Sequence, residues 1–138
     1  MIRVFLDTNI VVSSLLASGP SQAVLQLAFS GKFALFVSKP ILAEYKRVFA
    51  YPRLRIEPRD ARRAMAAIRR HAEPITPTFV LDRAVEEEDN RFLECAQSAK
   101  ANYLVTGNIR HFPEVWKYTR IIAPMEFLRL WQVRGPLS

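Results

Sequence analysis

Residues 2–9, Ile2-Arg-Val-Phe-Leu-Asp-Thr-Asn9, have a pattern that indicates the class of fold of this chain. The first five of these residues form a short run rich in β-forming apolar side chains, which predicts a buried strand. The Asp-Thr-Asn triplet follows at once, and residues of these types cap helices well. Apolar residues between positions 10 and 16 then recur at helical spacing. A buried strand that leads directly into a capped helix is typical of layered α/β folds.

The rest of the chain alternates between strand patterns and helix patterns. Further strands are predicted at residues 33–37, 103–106 and 120–123, and further helices at residues 20–30, 41–50, from 58 onwards, 88–99 and 124–133. The prolines in Glu73–Pro74 and Thr76–Pro77 predict a loop there. This alternation favours an α/β fold, in which a central parallel sheet carries helices on both faces.

The composition limits the size, compartment and class of the protein. The chain has 138 residues, of which 50% are hydrophobic, so we expect one domain over residues 1–138 with a substantial core. Cys95 is the single cysteine, which excludes an internal disulfide and suits a reducing compartment. No stretch resembles a signal peptide, and no apolar run approaches the ~20 residues of a membrane span. We therefore expect a cytoplasmic protein that does not enter a membrane.

The charge is strongly basic and unevenly distributed. Lysine and arginine together number 20 against 13 acids, which gives a net charge of +7. Arginine dominates this excess and is dense between residues 53 and 70. Arginine suits bidentate contacts with phosphate, so the pattern is consistent with an anionic polymer as partner. A solubilising surface explains the charge equally well.

Four polar residues stand close to the predicted strand ends or helix starts at which a parallel α/β fold places its ligands: Asp7, Glu44, Asp89 and Asn108. Each has a structural alternative on its own, as a helix N-terminal acid, a helix-surface ion pair or a turn residue. Together they are better explained as one site, because the fold brings them to one edge. Oxygen ligands favour Mg²⁺ or Mn²⁺, and such an ion beside a basic surface suits phosphodiester hydrolysis.

Four ordered segments of the chain resemble PIN-domain proteins, and among these the VapC-like toxins of bacterial and archaeal toxin–antitoxin pairs. They are Val4-Phe-Leu-Asp-Thr-Asn-Ile10, Ser38-Lys-Pro-Ile-Leu-Ala-Glu-Tyr45, Glu88-Asp-Asn-Arg-Phe-Leu-Glu-Cys-Ala96 and Tyr103-Leu-Val-Thr-Gly-Asn108. The resemblance implies a three-layer sandwich whose parallel strands lie in the order 3-2-1-4-5. It also implies a Mg²⁺- or Mn²⁺-dependent endoribonuclease that acts as a homodimer and is silenced by an antitoxin protein.

The resemblance assigns roles to individual residues. The first three acids of the family pattern fall on Asp7, Glu44 and Asp89, which would hold the metal, and the fourth falls on Asn108, which is an amide here. Asn108 would then position water or phosphate. Thr8, Asn9 and Thr106 would support the ligands through hydrogen bonds. We expect the arginines Arg59, Arg62, Arg63 and Arg110 to follow the backbone of a single-stranded or looped RNA.

Two other functions remain open on the sequence alone. The first is a catalytically impaired module that keeps the fold and binds RNA or a protein partner, because Asn108 replaces an acid. The second is a phosphatase of the haloacid-dehalogenase kind, in which the aspartate after the first strand attacks phosphate. That chemistry needs a second acid two residues later, where this chain has Asn9.

Overall fold

The computed structural model describes residues 1–77, 90–113 and 115–134 of the chain. Its strands are β1 (Arg3–Leu6), β2 (Ala34–Val37), β3 (Glu73–Pro74), β4 (Tyr103–Val105), β5 (Val115–Trp116) and β6 (Thr119–Ile122). They form one sheet in the spatial order β3-β2-β1-β4-β6-β5. Every neighbouring pair is parallel except β5 with β6. Without the short antiparallel β5, the five parallel strands have the predicted order 3-2-1-4-5.

The described residues also form six α-helices: α1 (Thr8–Leu16), α2 (Pro20–Phe29), α3 (Lys39–Phe49), α4 (Pro58–His71), α5 (Asn90–Ala99) and α6 (Pro124–Arg134). Their starts follow local chemistry. Asp7 caps α1 by accepting a hydrogen bond from the Thr8 N–H, and Ser38 caps α3 by accepting one from Ile41. The helices α2, α4 and α6 each begin at a proline, which needs no N–H partner in a first turn.

The central strand β1 is covered on both of its faces. Side chains of successive strand residues point to opposite faces, and Val4, Phe5 and Leu6 are all fully buried. Helices therefore pack on both sides of the sheet, as an α/β sandwich requires. Across β1 and β4, Leu6 pairs with Val105, and the Asp7 N–H donates to the Val105 carbonyl at 2.9 Å. This register places the residues that follow β1 and β4 side by side at the carboxyl edge of the sheet.

The prediction of a loop at Glu73–Pro74 was wrong. These two residues form β3, which pairs with Phe36 and Val37 of β2, and Ile75 continues the ladder by donating to the Val37 carbonyl at 2.8 Å. A two-residue strand has no alternating pattern, and its proline cannot donate to a ladder, so this segment has the sequence features of a turn. Strand β5 was not predicted because it, too, has only two residues. Residues 78–81, Asp89 and the start of the predicted helix 88–99 lie outside the described residues.

Two further expectations concern helices. Within the described residues, no single helix is both long and apolar enough to cross a membrane; α1 and α2 reach that length and hydropathy only as a pair bent by 104°. Cys95 is buried in α5, as expected of a small apolar side chain. Burial raises the pKa of the Cys95 thiol to about 11, which makes it unreactive at neutral pH.

Helix α3 is tied to the end of β1 by a buried tyrosine. The Tyr45 side chain is 1% exposed, and its hydroxyl donates to the Leu6 carbonyl. Burial raises the pKa of Tyr45 well above its usual range, with the acids Asp7 and Glu44 adding to the effect, so the hydroxyl stays protonated and keeps its donor role. The contact fixes α3, and with it Glu44, beside the residue that follows β1.

We expect Tyr45→Phe to lower the free energy of unfolding by about 1–2 kcal/mol, because it removes a buried hydrogen bond while preserving the ring packing. Urea denaturation followed by circular dichroism measures this change. Tyr118→Phe is the matched control, since Tyr118 is 78% exposed and the change removes no buried hydrogen bond. Equal stability of the two variants would contradict the role given to Tyr45.

Candidate active site

Asp7 stands at the carboxyl end of β1 and is held by three hydrogen bonds. Its side chain is almost fully buried. Its Oδ1 accepts from the Thr8 N–H at 2.8 Å, and its Oδ2 accepts from Asn9 Nδ2 at 3.1 Å and from Thr106 Oγ1 at 2.6 Å. Two of the donors lie in the first turn of α1 and the third directly follows β4, so the carboxylate is fixed by the start of that helix and by the pairing of β1 with β4.

The hydrogen bonds leave Asp7 with a defined free acceptor position. A carboxylate oxygen has about two lone-pair positions, so Oδ2 is filled by its two donors whereas Oδ1 keeps one position open. Burial raises the pKa of Asp7 above its ordinary range, although the bonds from Thr106, Thr8 and Asn9 and the charge of His111 oppose that rise. A cation at the open position would stabilise the charged form of this desolvated group.

Glu44 is joined to Asp7 through Thr8. The Thr8 backbone N–H donates to Asp7, while the Thr8 hydroxyl donates to Glu44 Oε2. Arg47 Nη2 lies 3.7 Å from Glu44 Oε1, one turn further along α3. Because the Arg47 side chain is 54% exposed, this ion pair adds little to stability. The link through Thr8 therefore does more to orient the Glu44 carboxylate than the pair with Arg47.

The segment after β4 completes the support of Asp7. Thr106 Oγ1 donates to Asp7 and accepts from the Asn108 N–H at 2.9 Å, and the Gly107 N–H donates to Asn9 Oδ1 at 3.0 Å. A Cβ atom on Gly107 would lie 3.2 Å from Asn9 Oδ1, closer than most such contacts. Glycine at this position lets the segment after β4 approach the first turn of α1 closely, so that Asn9 can accept from Gly107 and donate to Asp7.

Asn108 presents an unengaged amide at this edge. It precedes the one-turn 3-10 helix Ile109–His111, but its side chain does not cap that helix. Within the part of the chain that is described, its backbone N–H donates to Thr106 Oγ1 and its backbone carbonyl accepts from the His111 N–H at 2.9 Å, while its side chain makes no hydrogen bond. The amide is exposed and faces the same cavity as Asp7 and Glu44. Its carbonyl oxygen and amide protons are thus available to a ligand.

A cavity of about 400 Å³ opens above these residues. The described residues that line it include Asp7, Thr8, Asn9, Glu44, Arg47, Tyr51, Arg53, Asn108 and His111. The structure thus brings together three of the four predicted catalytic positions, and Thr106 lies behind Asp7. The fourth, Asp89, is outside the described residues. Arg59, Arg62, Arg63 and Arg110 do not line this cavity, so their contact with RNA stays a prediction.

Arg47, Arg53 and His111 line the cavity, although the sequence did not assign them to the active site. Arg47 had a signal, since it lies three residues after Glu44 and so shares its helix face. His111 likewise lies three residues after Asn108, but the one-turn helix that joins them is too short to predict. Arg53 follows a proline in a short 3-10 turn (Pro52–Leu54), and nothing in its spacing indicates the direction it faces.

The donor atoms in the cavity suit a hard divalent cation. The carboxylates of Asp7 and Glu44 and the amide of Asn108 offer oxygen ligands, which Mg²⁺ and Mn²⁺ prefer. No cluster of three His, Cys, Asp or Glu residues that could hold a metal occurs within residues 1–77, 90–113 and 115–134. The third acid that the sequence predicts for this site is Asp89, which lies outside the described residues.

A family model described as a PIN domain matches residues 3–110, which spans every element from β1 to β4 and the residues that follow β4. The chain belongs to the PIN-domain family. PIN domains are generally nucleases that depend on Mg²⁺ or Mn²⁺, so the family agrees with the oxygen donors in the cavity. Membership also removes the basis for the phosphatase alternative. A comparison with curated proteins finds no significant match.

We expect Thr106→Val to weaken the binding of Mn²⁺ by about tenfold or more, because a residue that orients a metal ligand commonly has an effect of that size. The change keeps the shape of the side chain but removes the 2.6 Å hydrogen bond to Asp7. Isothermal titration of Mn²⁺ measures the affinity. Thr106→Ser keeps the hydroxyl and should retain near-native affinity; an equal loss in both variants would count against the orienting role.

Proposed function

We propose that this PIN-domain protein is a Mg²⁺- or Mn²⁺-dependent endoribonuclease that hydrolyses phosphodiester bonds. The observation that carries the proposal is the buried Asp7 carboxylate, which accepts three hydrogen bonds, keeps one acceptor position unfilled and lines the cavity. Glu44 and Asn108 line the same cavity, and two arginines stand beside them. Acidic ligands within a basic protein suit a cation that must meet a polyanionic substrate.

Asp7 and Glu44, with Asp89 as the family resemblance implies, would hold the ion. When bound, such an ion supplies a more acidic water and neutralises charge that develops on the phosphate. Glu44 would orient the attacking water, since Thr8 fixes one of its carboxylate oxygens and leaves the carboxylate facing the cavity. Asn108 has amide protons available to donate to a phosphate oxygen, and Arg47 and Arg53 contribute positive charge.

The substrate that we propose is a single-stranded or looped RNA, whose flexible backbone can enter the cavity. The net charge of +7 favours a polyanion. Arg59, Arg62, Arg63 and Arg110 are exposed and free to contact phosphates beyond the cavity. Contacts of this kind fix the position of the RNA but carry no sequence information.

We also propose that the protein is the toxin of a toxin–antitoxin pair, of the VapC-like group, and that it acts in the cytoplasm as a homodimer restrained by an antitoxin. Support comes from the four ordered segments that the chain shares with such toxins. Induced expression should arrest bacterial growth, and the Asp7→Asn variant should not. Growth arrest by both forms would argue against a toxic nuclease.

A second candidate function follows from Asn108. An amide is a weaker cation ligand than the acid that the family pattern has at this position, so the protein could bind RNA or a protein partner without cleaving it. The two functions differ in one measurable respect, because only the nuclease turns over RNA in the presence of a divalent ion.

We expect Asp7→Asn to lower the rate of RNA cleavage by at least about a hundredfold, because it removes the charge of a ligand rather than an orienting contact. The assay uses purified protein, a mixture of structured RNAs and Mg²⁺ or Mn²⁺, with EDTA as a second control. Arg129→Ala is a suitable control variant, since Arg129 is exposed on α6 and lines no described cavity of the active site. Cleavage that survives EDTA or the Asp7 change would exclude the metal mechanism.

We expect Asn108→Asp to raise both the cleavage rate and the affinity for Mn²⁺, each by about tenfold, because it restores a fourth acid at the cavity. Asn108→Ala serves as the comparison, since it removes the amide without adding a charge and should lower the rate. Single-turnover cleavage and Mn²⁺ titration measure the two quantities. If Asn108→Asp leaves an inactive protein inactive while it binds more metal, the binding-module function is favoured.

A further inference from the structure

A second and larger cavity adjoins the active site. It has a volume of about 810 Å³ and lies between α3, the turn that follows it, and α4. We call it the α3–α4 groove. Phe49, Ile56 and Met65 are among the apolar residues that line it. Tyr51 lines both this groove and the active-site cavity, so the two cavities meet at its ring.

The groove carries positive charge only. Lys46, Arg55, Arg62 and Arg69 line it, and no aspartate or glutamate occurs among its described lining residues. An apolar floor with a cationic rim suits a ligand that combines a flat apolar part with negative charge. A nucleotide has this chemistry, since its base is flat and its phosphate is anionic. An acidic peptide shares the charge, but nothing in the groove would place it in line with the carboxylates of the active site.

Tyr51 has the surroundings of a base-stacking platform. Its side chain is 36% exposed at the junction of the two cavities, and the Arg53 guanidinium lies 5.4 Å from the centre of its ring. An aromatic ring beside an arginine is a common surface for unpaired bases, because every base has a π-face to stack on it. A base on Tyr51 would place its neighbouring phosphates toward the two cavities.

Arg55 occupies a backbone conformation that usually favours glycine. Its φ is 52° and its ψ is 36°, in the left-handed region, at the end of the 3-10 turn where its N–H donates to the Pro52 carbonyl at 3.1 Å. Strained residues of this kind cluster at ligand-binding sites. Lys100 and Lys117 adopt the same backbone region, so the conformation alone does not indicate a ligand; Arg55 differs from them in that its side chain lines the groove.

We propose that the α3–α4 groove is a nucleotide subsite, in which a base of the RNA next to the cleaved phosphodiester stacks on Tyr51. Arg55, Arg62 and the neighbouring cations hold the phosphates of that part of the strand. The proposal rests on the proposed nuclease function, and it extends the substrate site from the sheet edge onto the surface between α3 and α4.

The test measures RNA binding in the full chain carrying Asp7→Asn, which we expect not to cleave. The probe is a fluorescein-labelled, mixed-sequence single-stranded RNA of 12 nucleotides, and its affinity is read by anisotropy at several salt concentrations. Tyr51→Ala should weaken binding by about fivefold or more, the range found for the loss of one stacked base, without changing the salt dependence. Tyr51→Phe keeps the ring and should restore the affinity.

Arg55→Gly should lower the slope of log affinity against log salt by about 0.7, the value for one phosphate contact to a single strand. The fold should tolerate this change, because glycine adopts the left-handed conformation readily. Arg129→Ala also removes one arginine, but on α6 and away from both cavities, so its slope should match that of the parent. Thermal unfolding of each variant checks that the fold is retained.

Two results separate this proposal from the nuclease proposal. If Tyr51→Ala and Arg55→Gly keep the affinity and the salt slope of the parent while the unmodified protein cleaves RNA, the groove proposal is wrong and the nuclease proposal stands. If both variants bind RNA more weakly and the unmodified protein does not cleave RNA with Mg²⁺ or Mn²⁺, the groove proposal is supported and the nuclease proposal is wrong. If sedimentation shows that these variants lose a dimer while RNA affinity is kept, a second copy occupies the groove and the proposal fails.

Discussion

The candidate site depends on one constraint, which is the burial of the Asp7 carboxylate at the end of the central strand. A desolvated carboxylate is costly, and three hydrogen bonds offset part of that cost. The donors come from the helix that follows β1 and from the residue after β4, so the pairing of β1 with β4 must be in register for the carboxylate to be satisfied. A shift by one residue would move Thr106 away from Asp7 and leave a buried charge short of a partner.

The second acid reaches the site through a different part of the fold. Glu44 lies on α3, and α3 is anchored to the last residue of β1 by Tyr45, the residue next to Glu44 in the chain. Thr8 links the two carboxylates, because its N–H donates to Asp7 and its hydroxyl donates to Glu44. The position of Glu44 relative to Asp7 is therefore set by the end of β1 and by the side chains of Tyr45 and Thr8, rather than by the flexible glutamate side chain alone.

The sequence predicted what depends on residue type and on strand order. Asp7, Glu44 and Asn108 could be placed at one edge because strand ends in a parallel sheet meet there, and the structure brings these three together. The sequence could not predict β3, because a two-residue strand shows no periodicity. It also could not predict the direction in which the surface arginines point. The density of arginines along the chain does not reveal that neighbouring arginines line different cavities. Arg62 lines the α3–α4 groove, whereas Arg63 lines another cavity between α2 and α4.

The amide at position 108 changes the electrostatic balance of the cavity. An acid there would repel Asp7 and Glu44 in the absence of a cation, and the resulting free energy would be recovered only when a cation binds. With Asn108, and with Arg47 and Arg53 at the same cavity, the unoccupied state is less strained by repulsion and the attraction for a cation is weaker. On the proposed function, the same change would favour the approach of an RNA phosphate, because one negative charge fewer opposes it. The proposed site would therefore balance metal affinity against substrate affinity differently from a site with four acids.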